Sequence, residues 1–292
     1  HTLKFAPDFV WVKDRKDNNS HNLADRVRGA NKQVWTNSPD AEYTYTNSIN
    51  SLDSNGFTVG TNGNVNTNGN PFLAWCWDAG TAAATPSTAG SINPTDEWVN
   101  TESGFSIIQF TSPDSSSAQT VGHSLGAVPH FIMSKNLENS YGFEVWHRSL
   151  AAGKSLQMND DGTPSSGRWG SITSTTFGTV SSYTHYSTHK YINWLWTEKP
   201  GFSSFGSFEG NASDAGPFVH CGFRPRYVLI KNIDASDKWH LYDTARSIHN
   251  PSDLVLFPSV TDAGNTYEGP SDSRPIDILS NGFKLRHDDD IN

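Results

Sequence analysis

With 292 residues, 35% of them hydrophobic and 12% aromatic, the chain has apolar mass for two or three ordinary cores, which excludes a disordered tail. A net charge of −9 without any run of lysine or arginine argues against a phosphate-tracking surface, so nucleic acid is not an expected partner. No apolar stretch approaches the roughly 20 residues that span a bilayer, so membrane insertion is not expected.

Only 17% of residues are charged, and Ser, Thr, Asn and Gly fill much of the rest, the mix of many short strands joined by turns. In chain order, alternating apolar runs predict strands at Phe9 to Lys13, Phe105 to Phe110, Phe131 to Lys135, Phe143 to Trp146, Tyr191 to Trp196, Tyr227 to Lys231 and Trp239 to Tyr242. Between the first two, Leu23, Val27, Ala30 and Val34 have helical spacing interrupted by Gly29, which predicts a short helix or helical turn. Thr81 to Pro94 reads as a linker, and Thr111 to Ala118 as an exposed hairpin loop.

Several of these runs are one element repeated. An X-Pro followed by an apolar run ending in lysine occurs at Pro7 to Lys13, Pro129 to Lys135 and Pro225 to Lys231. Twelve residues beyond each lysine stand Asp25, His147 and Asp243. The match continues through Asn55-Gly56-Phe57, Thr176-Phe177-Gly178 and Asn281-Gly282-Phe283, and then through Phe72 to Trp77 and Tyr191 to Trp196. A period of about a hundred residues makes the repeat the unit of explanation. The expected units are residues 1–97 with the opening strand missing, 98–200 complete, and 201–292 with the closing strand missing. Together with a start at His1, this reads as a piece of a longer polypeptide. Strands in such numbers predict an all-β fold of tandem antiparallel β-sandwich modules, jelly-roll or lectin-like, whose sheets pack on one another. On that reading the paired tryptophans, Trp75 with Trp77 and Trp194 with Trp196, share a core face.

The chemical motifs are weaker than the repeat. Gly122-His123-Ser124-Leu125-Gly126 spells the nucleophile elbow of a hydrolase, but that chemistry needs a helix after the serine. Here Pro129 and a strand follow, and the other copies have no equivalent serine. His185 and His189 have the i, i+4 spacing of a zinc pair but lie in a stretch that reads as loop or strand. Asp160-Asp161-Gly162 and Asp288-Asp289-Asp290 read as solvated turns without calcium-loop spacing. Cys76 and Cys221 occupy non-equivalent positions with no partner at metal or redox spacing. No catalytic, cofactor-binding or metal residue is therefore nominated. Lys13, Lys135 and Lys231 read as solvated strand ends or edge guards, able to pair across strands with Asp25 and Asp243.

The repeats resemble a domain found in tandem in virion structural proteins of tailed phages, especially phages of marine bacteria, in tail, fibre and appendage proteins. The likeness is carried by Ala6 to Lys13, Asp25 to Lys32, Ser54 to Gly60, Phe72 to Trp77, Gly122 to Pro129 and Gly222 to Lys231, and it covers nearly the whole chain. It implies a non-enzymatic β-rich virion component, made in the bacterial cytoplasm and carried in the extracellular particle. The expected partners are other virion proteins, further copies of this chain and a glycan of the host surface. No catalytic residue comes with the resemblance. Two alternatives stand beside it: a capsid-decorating or purely structural protein, and a polysaccharide-degrading enzyme on a lectin-like sandwich, which would need paired carboxylates. Binding is expected in the loops whose lengths differ between copies: Asn136 to Gly142, Gln157 to Gly170 and Ile248 to Pro275.

Overall fold

The computed structural model describes residues 3–262, 274–288 and 291–292. The first repeat holds strands β1 (Phe9–Asp14), β2 (Asn22–Asp25), β3 (Lys32–Trp35), β4 (Tyr43–Thr44), β5 (Ile49–Asp53) and β6 (Gly56–Val59). A one-turn helix α1 (Gly63–Asn66) and strand β7 (Phe72–Trp77) complete it. The second holds β8 (Asp96–Asn100), β9 (Phe105–Thr111), β10 (Gln119–Gly122), β11 (Phe131–Asn136), β12 (Glu144–His147), β13 (Leu156–Gln157), β14 (Trp169–Ile172), β15 (Thr176–Thr179) and β16 (Lys190–Trp196). The third holds β17 (Phe218–His220), β18 (Tyr227–Ile230), β19 (His240–Asp243), β20 (Ile276–Leu279) and β21 (Gly282–Leu285).

Each repeat is built from the same two layers. The sheet that carries the X-Pro strand, the large sheet, runs β4-β3-β2-β1-β7 in the first repeat and β13-β12-β11-β16-β9-β8 in the second, and shrinks to β18-β19 in the third. The facing small layer is β5-β6, β10-β15-β14 and β17-β21-β20 respectively, so in the third repeat it has three strands against two. Register is preserved: Phe9 faces Asp25, Phe131 faces His147 and Tyr227 faces Asp243, all antiparallel. The fold is thus all-β, as the composition and alternation predict.

Alternation sorts each large sheet into two faces. Val10, Val12 and Ala24 turn toward the first repeat's small layer, as Ile132, Leu195 and Ile108 do in the second and Val228, Ile230 and Tyr242 in the third. The opposite faces all meet in one common core that joins Phe9, Trp11 and Leu23 to Met133, Val145, Trp194 and Trp196, and to Trp239 and Leu241. Aromatic rings cross the repeat boundaries there, with Phe9 5.2 Å from Trp194, Trp77 6.1 Å from Trp196 and Trp75 5.9 Å from Tyr227. The paired tryptophans therefore lie on the core face. Three private cores and one shared core make the repeats a single packing unit.

One local expectation is narrowed and two are corrected. The helical spacing over Leu23 to Val34 shrinks to the one helical turn expected after the second strand, with Gly29 N–H donating to Asp25 O at 3.0 Å, while Leu23 and Val34 are direct cross-strand partners in β2 and β3. Gly29 sits at φ +99° in the connecting turn, a backbone conformation that side chains rarely adopt. Thr111 to Ala118 is no hairpin loop, since it carries the chain from β9 in the large sheet to β10 in the small one. Thr81 to Pro94 has irregular backbone but is docked: Ile92 is buried and donates its N–H to Thr120 O at 2.8 Å. Strand β8, which straddles residue 97, pairs with β9 in the second repeat's sheet.

Candidate functional site

The repeated lysines lie at the seams between repeats. Lys13 and Lys135 are fully buried, which overturns the solvated strand end expected from sequence, while Lys231 is half-buried and its contact with the second repeat is exposed. Lys135 Nζ donates to Tyr141 O at 2.7 Å within its own repeat and to Pro39 O of the first repeat at 2.8 Å. Lys13 Nζ donates to Asn19 O at 2.7 Å and to Thr261 O of the third repeat at 3.1 Å. Lys231 Nζ donates to Asn232 O at 2.6 Å and to Asp161 O of the second repeat at 3.1 Å. The second repeat thus reaches the first, the third reaches the second, and the first reaches the third.

Burial is the leading cause that lowers all three lysine pKa values, to about 7 for Lys135 and to about 8 for Lys13. A neutral amine still has two N–H donors, and Lys13 and Lys135 each meet two carbonyls. The pairing expected with Asp25 and Asp243 does not form, because β1–β2 register sets Phe9, and not Lys13, opposite Asp25. Asp25 instead accepts from Arg28 Nε at 2.6 Å, and Asp243 from Arg246 Nε at 2.7 Å. In both, the arginine also donates to the preceding strand's carbonyl, Leu23 O or Leu241 O. These buried Asp-x-x-Arg clamps fix the turn after the second strand. His147 occupies the same place in the second repeat, where burial first, then Arg148 and His130, lower its pKa to about 4.

Further contacts close each seam. Glu42 N–H donates to Leu137 O at 3.0 Å, Trp239 Nε1 to Gln157 O at 2.9 Å, and Thr36 Oγ1 to Pro258 O at 2.7 Å. The three length-variable loops therefore line the seams as far as they are described; of Ile248 to Pro275, residues 263–273 lie outside the described residues. A cleft of about 370 Å³, bordered by Leu150, Lys154, Pro164, Ile233 and Asp234, marks the seam between the second and third repeats.

The motif residues have other partners. Ser124 donates its N–H to buried Glu97 at 2.6 Å and its hydroxyl to the same carboxylate at 3.2 Å. His123 is turned instead toward Thr173 O and Leu125 N–H. His185 is buried against Thr179 Oγ1 and Ser115 O, while His189 meets Asn136 and Asn139. Asp160 accepts the Gly162 N–H in a turn; Asp289 and Asp290 lie outside the described residues. Among the described residues, no three His, Cys, Asp or Glu side chains are grouped so as to hold a metal ion, and no helix is long and apolar enough to cross a membrane. Sequence reasoning missed the lysine seams, although an ionisable residue recurring at the end of three apolar runs was their signal.

The fold and seams define a class: a closed three-repeat β-sandwich body in which a lysine amine bridges each seam, two of the three lysines being buried. The chain belongs to the family described as a domain of unknown function, DUF7483, whose model matches residues 1–292. No curated protein and no solved structure matches it.

Proposed function

We propose that the chain is a non-enzymatic component of a tailed-phage virion, placed in a tail fibre, tail tip or other appendage, where it serves assembly and attachment to a glycan of the host surface. The observation that carries this reading is the common core. It holds three loop-bearing repeats in fixed relation, which suits a surface that must present loops without flexing. The assembly half is supported by β7. Among the described residues β7 pairs only with β1, whereas its counterpart β16 pairs with both β11 and β9. That free edge suits strand addition by another virion protein or another copy of the chain.

Two measurements test the reading. In a whole-particle map the chain should occupy the tail or an appendage; density in the capsid shell overturns the placement. Fab fragments raised against the chain should slow adsorption of virions to their host, and unchanged adsorption at saturating Fab sinks the attachment role.

A further inference from the structure

The loop of residues 181–189, between β15 and β16, spends backbone energy to display aromatic rings. Ser182 and Thr188 both sit in the left-handed region, at φ 71° and 61°, a strained conformation for residues other than glycine. His185 anchors the middle of the loop from within, bonded to Thr179 Oγ1 at 2.9 Å and Ser115 O at 3.3 Å. With that anchor buried, Tyr183 and Tyr186 are left 41% and 39% exposed. The Arg168 guanidinium lies 4.2 Å from the Tyr183 ring centre and occupies that ring.

Tyr186 belongs to a different group. Its ring lies 4.9 Å from His189 and 5.7 Å from Tyr141, which comes from the length-variable loop after β11. Polar groups border these rings: exposed Asn139, whose Nδ2 lies 3.1 Å from His189 Nε2, Ser187 bonded to Asp114, and Glu138, which accepts the Lys190 N–H at 3.3 Å. An amphipathic ring face edged by amide, hydroxyl and carboxylate groups matches a pyranose, which has an apolar C–H face and a rim of hydroxyls. Asp114 and Glu138 can accept hydrogen bonds from sugar hydroxyls, and with the net charge of −9 they repel anionic sugars.

We infer that Tyr141, Tyr186 and His189 form a saccharide-binding platform whose ligand is a neutral, β-linked hexopyranose oligosaccharide. The inference rests on the attachment reading above and gives it a site. An equatorial β-linkage leaves both faces of each sugar ring as axial C–H groups, whereas an axial linkage puts the glycosidic oxygen on one face; the Tyr141 and His189 rings, tilted 36° and 45° from Tyr186, offer more than one such contact.

The test is saturation-transfer NMR and titration calorimetry on the whole chain with cellotetraose, laminaritetraose and chitotetraose. At least one should bind with transfer strongest at ring C–H protons, and Tyr141→Ala and Tyr186→Ala should each weaken it about tenfold or more. Tyr186→Phe should retain binding, because the ring face is kept. Phe202→Ser removes another exposed aromatic ring outside this group and should leave affinity unchanged. Circular dichroism checks that each variant folds, and Tyr186, being exposed, keeps the test informative if Tyr141→Ala unfolds. Binding that survives Tyr186→Ala overturns the site while leaving the attachment reading intact. A wild-type chain that binds none of the three overturns the ligand class, and the Fab experiment judges attachment separately.

Discussion

Replacing Lys135 with methionine keeps the aliphatic stem and removes the amine that joins the second repeat to the first. Two opposing effects follow. The Pro39 and Tyr141 carbonyls lose their donor, at roughly 1–3 kcal/mol for each group left unsatisfied. Against this, the wild-type lysine carries a burden: its pKa falls from 10.5 in the unfolded chain to about 7 in the fold, worth roughly 4–5 kcal/mol at pH 7. Between those values the unfolded state holds more protons than the folded one. The wild-type contribution is therefore full above pH 10.5 and lost as pH falls toward 7, with a slope of up to about 1.4 kcal/mol per pH unit. Lys135→Met should be close to neutral near pH 7 and destabilising by about 2–5 kcal/mol near pH 10, where the lost hydrogen bonds have little left to offset them. Urea unfolding followed by tryptophan fluorescence across this range measures both stabilities. If the curves for variant and wild type run parallel, Lys135 is not titrating in the seam and the assignment fails.

Arg28→Ala and Arg246→Ala should each cost about 3–5 kcal/mol in urea unfolding, because each strands a buried aspartate; Arg148→Ala, whose pair with Glu198 is exposed, should cost under about 1. His147 and His240, with pKa values lowered mainly by burial to about 4 and about 3, stay neutral in the fold while unfolded imidazoles take up protons below 6.5. Their contribution is thus full above pH 6.5 and lost as pH falls, so the melting temperature should drop toward pH 4, and less steeply in His147→Phe. Residues 80–200 expressed alone expose the face of Phe143 and Trp194 and deprive Lys135 of Pro39, so they should lack a cooperative transition by near-ultraviolet circular dichroism; a sharp one would refute the shared core.

Much of the fold was legible because repetition makes the sequence its own control. Phe9, Phe131 and Tyr227 announce the same strand, and alternation alone assigns Trp194 and Trp196 to one face. Comparison between copies likewise set Ser124 on the approach to a strand, and β11 does follow it. What stayed hidden depended on partners distant in sequence. Leu23 and Val34 mimic helical spacing because a tight turn brings them face to face, which periodicity cannot distinguish from a continuous helix. The lysines looked like surface charge because their acceptors are backbone carbonyls, Pro39, Asp161 and Thr261, and a carbonyl has no signature in a sequence. The aromatic platform was half visible: the loop bearing Tyr141 was singled out for its length, but Tyr186 joins it only through the close of the sheet at β16.

The order of the lysine contacts separates this body from an open repeat array. In a solenoid each unit touches only its sequence neighbours, and the first and last stay apart. Here Lys13 and Thr36 reach Thr261 and Pro258, so the first and third repeats meet and the ring closes. Closure makes the seams equivalent in construction while their loops differ in content. The stretch of the first repeat that corresponds to the Tyr186 loop, residues 60–71, contains no aromatic residue. The ring cluster of Tyr141 and Tyr186, proposed above as a saccharide platform, therefore belongs to the second repeat and has no counterpart in the first. On the proposed attachment reading, avidity would come from the number of chains brought together, through contacts such as the edge of β7 that is unpaired among the described residues, more than from the number of repeats within one chain.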